Sequence, residues 1–271
     1  MDMSEDTIRR TDEDRYYAAL FAPADRRTHL FTLYALNSEL ARIAETVHEP
    51  MMGAIRLQWW RETVEAAREG KPRDHDLARA LTQMFAAQDL PFDLFDQMIE
   101  AREMDAAEIE FANLQALEDY ADQTGGNLMR LAARLLGNPQ DDLAREAGIA
   151  HTLAGLLRAV PFHAARRKVY LPADLLAAAD TSRDDILATH SGKKLGPVIA
   201  RIANAVRAHL ATARALAKPR AALPAYLPAA TAPFYLKQMT TPGFDAFHDT
   251  VEVPLFRRQF AMLRAIWRGR I

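Results

Sequence analysis

The chain has 271 residues, with 34 lysines and arginines against 36 aspartates and glutamates and a formal net charge of −2. That balance excludes a general nucleic-acid binder, which is strongly basic, and the lack of cysteine excludes disulfides, thiolate metal sites and a cysteine nucleophile. The length fits one large helical domain or two smaller ones, enough to bury about three quarters of the unfolded surface.

The opening stretch "MDMSEDTIRRTDEDRYY" is charged and has no apolar core, so it is not a secretory signal, and it is too acidic for a transit peptide. Residues 1–14 are expected to be a flexible N-terminus leading into a single domain over 15–271. No run approaches the roughly 18 apolar residues of a membrane span. A soluble, cytoplasmic protein is expected, able to touch a membrane from outside.

Alanine, leucine and arginine dominate and β-branched residues are sparse, which favours helix. A first helix is predicted after Pro23, where Phe31, Tyr34, Ala35, Ser38, Ala41 and Arg42 recur at helical spacing, running to about Val47 before Pro50. "MMGAIRLQWWRETVEAAREG" is a second, ended by Gly70 with Pro72 just beyond. Residues 74–88 and 91–104 are a third and a fourth, Pro91 falling in the first turn where proline is tolerated. A fifth covers 114–136 and carries Gly125 and Gly126 inside it. A sixth covers 140–168, where Pro161 removes one backbone hydrogen bond and kinks the rod. "VYLPADLLAAADTSRDD" is predicted to be a loop, followed by a helix from about 195 to 217. Prolines 219, 224, 228 and 233 then punctuate a segment too apolar for a tether, so short helices joined by tight turns are expected. In the last helix Phe256, Phe260, Leu263 and Trp267 form a stripe at i, i+4, i+7 and i+11, accompanied by Arg257, Arg258, Arg264, Arg268 and Arg270. Such a helix is either a lid packed on the bundle, the preferred reading, or a basic amphipathic element lying on an anionic membrane. With no internal repeat and no strand, the expected fold is all-α.

Two of these segments, "YALNSELARIAETV" (34–47) and "LAGLLRAVPFHAARRKVYLP" (153–172), resemble the two signature helices of the squalene/phytoene synthase family. "YADQTGGNLMRLAARLLG" (120–137) resembles that family's glycine-containing helix, and the likeness runs from about Arg15 to the last helix. It implies a single isoprenoid-synthase-type helical bundle around a central cavity. The family's chemistry ionises prenyl diphosphates with Mg²⁺, which demands carboxylate oxygens. Each signature helix therefore carries an aspartate pair at i and i+4, on one face.

Here the resemblance places those four positions at Ala41, Glu45, Ala159 and His163, with Ser38 at a usual arginine and Gly155 at a usual asparagine. Tyr34 and Arg158 are kept. No metal is expected, and Mg²⁺ enters only if catalysis persists through an altered site. Glu45 is expected to pair with Arg42 or Arg158; with His163 it reads either as a remnant ligand site or as an ordinary helix residue. Arg158 reads as an anion ligand or as a buried structural cation. Arg166, Arg167 and Lys168, beside Tyr170 at the cavity mouth, read as a phosphate or lipid-headgroup site or as a solvated run. Gly125 and Gly126 mark a kink or a close approach, and in this family they line the cavity and leave room for a ligand. Trp59 and Trp60 read as packing, and the acid-rich stretch 100–110, with Asp105 and Glu108, as a solvated face.

The altered pattern resembles a branch of the family whose eukaryotic members are assembly factors for respiratory complex I. That implies a non-catalytic role in the assembly or stability of that complex, with a respiratory-complex subunit or a prenyl lipid as partner. The alternatives are an active prenyltransferase with an altered metal site and a carrier of an apolar ligand.

Overall fold

A computed structural model describes residues 3–47, 49–106, 110–189, 192–216 and 219–271, and among these it is helical with no strand. The centre is α3 (Ala24–Thr46), which starts after Pro23 and ends at the extended Val47. From Leu30 to Leu36 its residues are buried on every side, the mark of a helix enclosed by others. Packed around it are α4 (Pro50–Arg68), α5 (Asp76–Ala87) and α6 (Phe92–Ala106). The α4 helix closes at Gly70, which adopts φ 75°, and α5 is capped by His75, whose Nδ1 accepts the Leu77 N–H.

The predicted fifth helix is three pieces. α7 (Leu114–Ala121), capped by Asn113, passes into a π-helical turn over Asp122–Gly126 and continues as α8 (Asn127–Leu135). The sixth is α9 (Asp141–Arg158) followed by α10 (Val160–Ala165). The break falls at Ala159 (φ −91°, ψ 7°), and Pro161 lies in the first turn of α10, where a missing N–H costs no helical bond. Pro161 thus starts a second helix instead of kinking the interior of one rod.

The expected loop after Val169 contains α11 (Ala173–Ala178) and α12 (Arg183–Thr189), anchored by the buried Leu176 and Ile186. Next come α13 (Gly196–Ala215), α14 (Leu223–Tyr226), α15 (Ala232–Met239) and α16 (Leu255–Arg268), with 3-10 turns between the prolines. None of the described helices is long and apolar enough to cross a membrane.

Two terminal expectations change. Residues 3–11 form α1 (Met3–Thr11) and residues 13–19 form α2 (Glu13–Ala19). Ile8 is fully buried and α1 packs along α3, so the N-terminal segment joins the main core instead of trailing from it. The α16 stripe does not pack on the bundle. Met262 and Ala265 are buried against Ala18, Leu223 and Leu227, while Phe256, Phe260, Leu263 and Trp267 face outward. The helix docks on the bundle through its narrower face.

Gly125 and Gly126 mark a close approach and leave no room for a ligand. A Cβ at Gly125 would lie 2.0 Å from Thr152 Oγ1, and one at Gly148 would lie 2.5 Å from both the N and Cα of Gly126. The π-turn backbone therefore rests directly on α9. Gly155, one face further along α9, has nothing within 4 Å of its would-be Cβ. Alanine is ordinarily the better helix former by about 1 kcal/mol, so the two glycines should respond oppositely. Gly148→Ala is expected to destabilise the fold by about 1–3 kcal/mol through overpacking, and Gly155→Ala to stabilise it by up to about 1 kcal/mol, both read from urea unfolding midpoints.

Candidate functional site

Tyr34, Ser38, Ala41 and Glu45 recur along one face of α3, deep at one end and open at the other. Tyr34 is buried, its hydroxyl has no hydrogen-bond partner among the described residues, and burial holds it neutral well above the ordinary range. The Arg15 guanidinium carbon lies 5.8 Å from its ring centre. Ser38 folds back, donating to the Tyr34 carbonyl at 3.0 Å. Ala41 is half-buried and Glu45 is exposed. Arg42 pairs with Glu39 at 3.1 Å, and no ion pair joins Glu45 to Arg42 or Arg158 among the described residues. The expected Glu45 pairing is therefore absent from the described structure.

On α9 the face that matters begins one turn before the signature. His151, Ala154, Gly155 and Arg158 line a cavity of about 670 Å³, closed by Asp12, Asp14, Tyr235, Arg258 and the segment 251–254. Arg158 is exposed to this space, not buried, and its guanidinium sits 4.6 Å from the Tyr235 ring centre. Opposite it, Asp14 accepts hydrogen bonds from Arg258 at 2.7 Å, Tyr235 Oη at 3.1 Å and Thr231 Oγ1 at 3.2 Å. Asp12 caps α2, accepting the Arg15 N–H at 3.0 Å and pairing with the Arg15 guanidinium. Burial opposes the Asp12 charge, but Arg15 and His151 outweigh it and hold the carboxyl below its usual range. Burial first, then Arg15, pushes His151 down to about 4 against the pull of Asp12 and Asp14.

The residues 12–15 and His151 were missed by sequence reasoning. Two signals were present. Asp12 stands three residues before Arg15 at a helix start, and His151 stands four before Gly155 on the same helical face.

The other predicted site residues gather elsewhere. Asp105 is buried and accepts from Arg102 at 3.0 Å and from Tyr120 Oη at 2.9 Å. Lys168 Nζ donates to the Asp105 carbonyl, so it belongs to this cluster and not to a basic run. Asp105 is no solvated-face residue either; Glu108 lies outside the described residues. The Tyr170 ring packs 5.9 Å from Tyr120 and 4.6 Å from His163, centre to centre. Arg166 is exposed and stacked 3.6 Å over Phe162, while Arg167 takes φ 60° and its carbonyl accepts from Arg183 at 3.1 Å. His163 Nδ1 is buried and has no partner among the described residues. Burial, then Arg102 and Arg166, push its imidazole down to about 4.

These four positions do not fit a magnesium cluster. Magnesium takes oxygen ligands in octahedral geometry. Two positions are alanines, Glu45 points to solvent, and His163 offers a nitrogen in a setting already made cationic by Arg102 and Arg166. Among the described residues no group of three or more His, Asp or Glu is placed to hold a metal ion.

An all-α bundle with a cavity against the second signature helix defines an isoprenoid-synthase-type protein. The family model described as squalene/phytoene synthase matches residues 8–258, and the chain belongs to that family. It is 32% identical over 250 residues to the human protein named "NADH dehydrogenase (ubiquinone) complex I, assembly factor 6", covering 90% of this chain and 75% of the other. Presqualene diphosphate synthase of Rhodopseudomonas palustris is 27% identical over 205 residues, covering 73% and 72%. A crystal structure of a dehydrosqualene synthase with a bound ligand superposes at a TM-score of 0.79 with 16% identity, over 98% of this chain and 94% of that one, which speaks for the fold.

Because the folded state lowers the His151 and His163 values from 6.5 to about 4, the unfolded chain binds more protons between those limits. Their contribution to stability is full above about pH 6.5 and is lost as pH falls toward 4. The thermal midpoint is expected to drop across that window, and His163→Asn to flatten the drop, as followed by circular dichroism.

Proposed function

We propose that this protein is a non-catalytic member of the squalene/phytoene synthase family that acts in the assembly or stability of respiratory complex I. The carrying observation is the donor set on the two signature helices: alanine, an exposed glutamate, alanine and a desolvated histidine stand where the chemistry needs four carboxylates. Loss on both helices removes the means of neutralising a leaving diphosphate. The relatives named as complex I assembly factors support the direction of the reading, since they match this chain over most of its length. The cavity wall, with Asp12, Asp14, His151, Arg158 and Arg258, is too charged to favour a wholly apolar cargo.

Two measurements test this. Purified protein incubated with Mg²⁺ and farnesyl or geranylgeranyl diphosphate is expected to yield no head-to-head product; formation of one overturns the non-catalytic reading. Membranes of a deletion strain are expected to lose NADH–quinone oxidoreductase activity, restored equally by the intact chain and by Glu45→Ala. Unchanged activity in the deletion strain overturns the assembly role.

A further inference from the structure

Among the described residues the least covered large apolar side chain is at the end of the chain. Phe256, Phe260, Leu263 and Trp267 are 66%, 65%, 52% and 85% exposed, although they lie at i, i+4, i+7 and i+11 on one helix. Folded soluble surfaces rarely leave such a stripe bare, and one rimmed by polar groups marks a docking face. The burial of Met262 and Ala265 fixes the rotation of α16, so the stripe cannot turn inward without breaking that contact.

Two hollows flank the stripe. On one side a groove of about 810 Å³ runs between α15 and α16, walled by Phe234, Val253, Phe256, Phe260 and Leu263. On the other a pocket of about 500 Å³ is walled by Arg214, Arg264, Arg268 and Arg270, with Phe234 and Phe260 shared between the two. From Val253 to Ile271 the chain has five arginines and no acidic residue. Arg258 is taken by Glu13 and Asp14, but Arg264, Arg268 and Arg270 have no ion pair among the described residues. Arg214 donates through Nε to the Ile271 carbonyl at 3.3 Å, and burial and the nearby Arg270 disfavour its charge. A cluster of like charges without acidic side chains next to bare aromatic surface is complementary to phosphate diester attached to hydrocarbon.

We propose that α16 docks this protein on an anionic phospholipid bilayer, with lipid phosphates in the Arg214–Arg264–Arg268–Arg270 pocket and Phe256, Phe260, Leu263 and Trp267 in the acyl boundary. Arginine suits the phosphate because its planar fork binds two oxygens at once. Tryptophan at the helix end suits the interface, with an apolar ring and a polar N–H. A second copy of this chain is disfavoured as occupant, because a self-complementary contact would bring the arginine clusters of both copies together. The inference stands apart from the assembly reading and survives its failure.

The test is flotation of the full chain with vesicles of phosphatidylcholine alone or with about a third phosphatidylglycerol, a fraction chosen to reach the surface potentials of anionic membranes. Binding is expected only to the anionic vesicles, weakening with salt. Arg264→Ala/Arg268→Ala/Arg270→Ala is expected to weaken binding on the order of a hundredfold, at roughly fivefold per arginine. Phe256→Ser/Phe260→Ser/Trp267→Ser is expected to abolish it while leaving the thermal midpoint in place, since these side chains are exposed. Vesicles should shift the tryptophan emission to the blue in the intact chain and not in Trp267→Phe. Equal binding to neutral vesicles, binding unaffected by the serine substitutions, millimolar inorganic phosphate competing fully with vesicles, or a dimer in solution broken by the serine substitutions each overturn the proposal.

Discussion

The close contact between the π-helical turn and α9 governs the rest of the molecule. Gly125 and Gly126 meet Gly148 backbone to backbone, at distances no side chain tolerates. That contact fixes the depth at which α9 sits against α7 and α8. Three, seven and ten residues further on, α9 presents His151, Gly155 and Arg158 to the cavity, and just beyond its end α10 carries His163 toward Tyr170. The far side of α9 is held by α13, where His209 sits between Glu146 at 2.7 Å and Glu118 at 3.5 Å. A π-turn is an irregular element that lengthens the helix by one residue per turn. Here its function is structural: it brings three glycines into register for the crossing.

Around that frame the charges compensate one another in two separate clusters. Asp14, Arg258, Tyr235 and Thr231 form one at the cavity, and Asp105, Arg102, Tyr120 and Lys168 form the other behind Tyr170. A buried carboxylate in each is held by hydrogen bonds, without which it would be costly. The consequence for chemistry is an inverted potential. Where a metal-dependent member needs a negative face to gather divalent cations, His163 is flanked by Arg102 and Arg166, which help to keep it neutral.

The helices were legible because the apolar residues repeat at a strong helical period, and the family was legible because its motifs keep their order. What periodicity cannot specify is the object that each stripe meets. Phe256, Phe260, Leu263 and Trp267 look like a core-facing seam in one dimension, yet α16 docks through Met262 and Ala265, because the neighbouring Ala18 and Leu227 leave space for small and flexible groups. The N-terminal segment departs from expectation for the opposite reason: its charge suggests a solvated tether, but α1 packs along α3 with Ile8 in the core and Ser4 buried beside it. Gly125 and Gly126 read correctly as a close approach and incorrectly as ligand room, since the partner Gly148 lies 22 residues beyond Gly126, outside any local pattern. Asp105 and Lys168 likewise depend on a contact across 63 residues.

Arg158 is the cation of the second signature helix that faces the cavity. In the resemblance it is a cation working beside magnesium. Here it is exposed to the cavity, is stacked on Tyr235, and has no ion pair among the described residues, whereas Arg15 and Arg258 are matched by Asp12, Asp14 and Glu13. The matched pairs set the shape of the cavity and neutralise its floor. The unmatched arginine leaves one direction in which the cavity attracts an anion without recruiting a metal first. Of the four metal positions only Glu45 is a carboxylate, and it is exposed, so the donor set beside Arg158 is far from the oxygen-rich one that magnesium chemistry on a diphosphate needs.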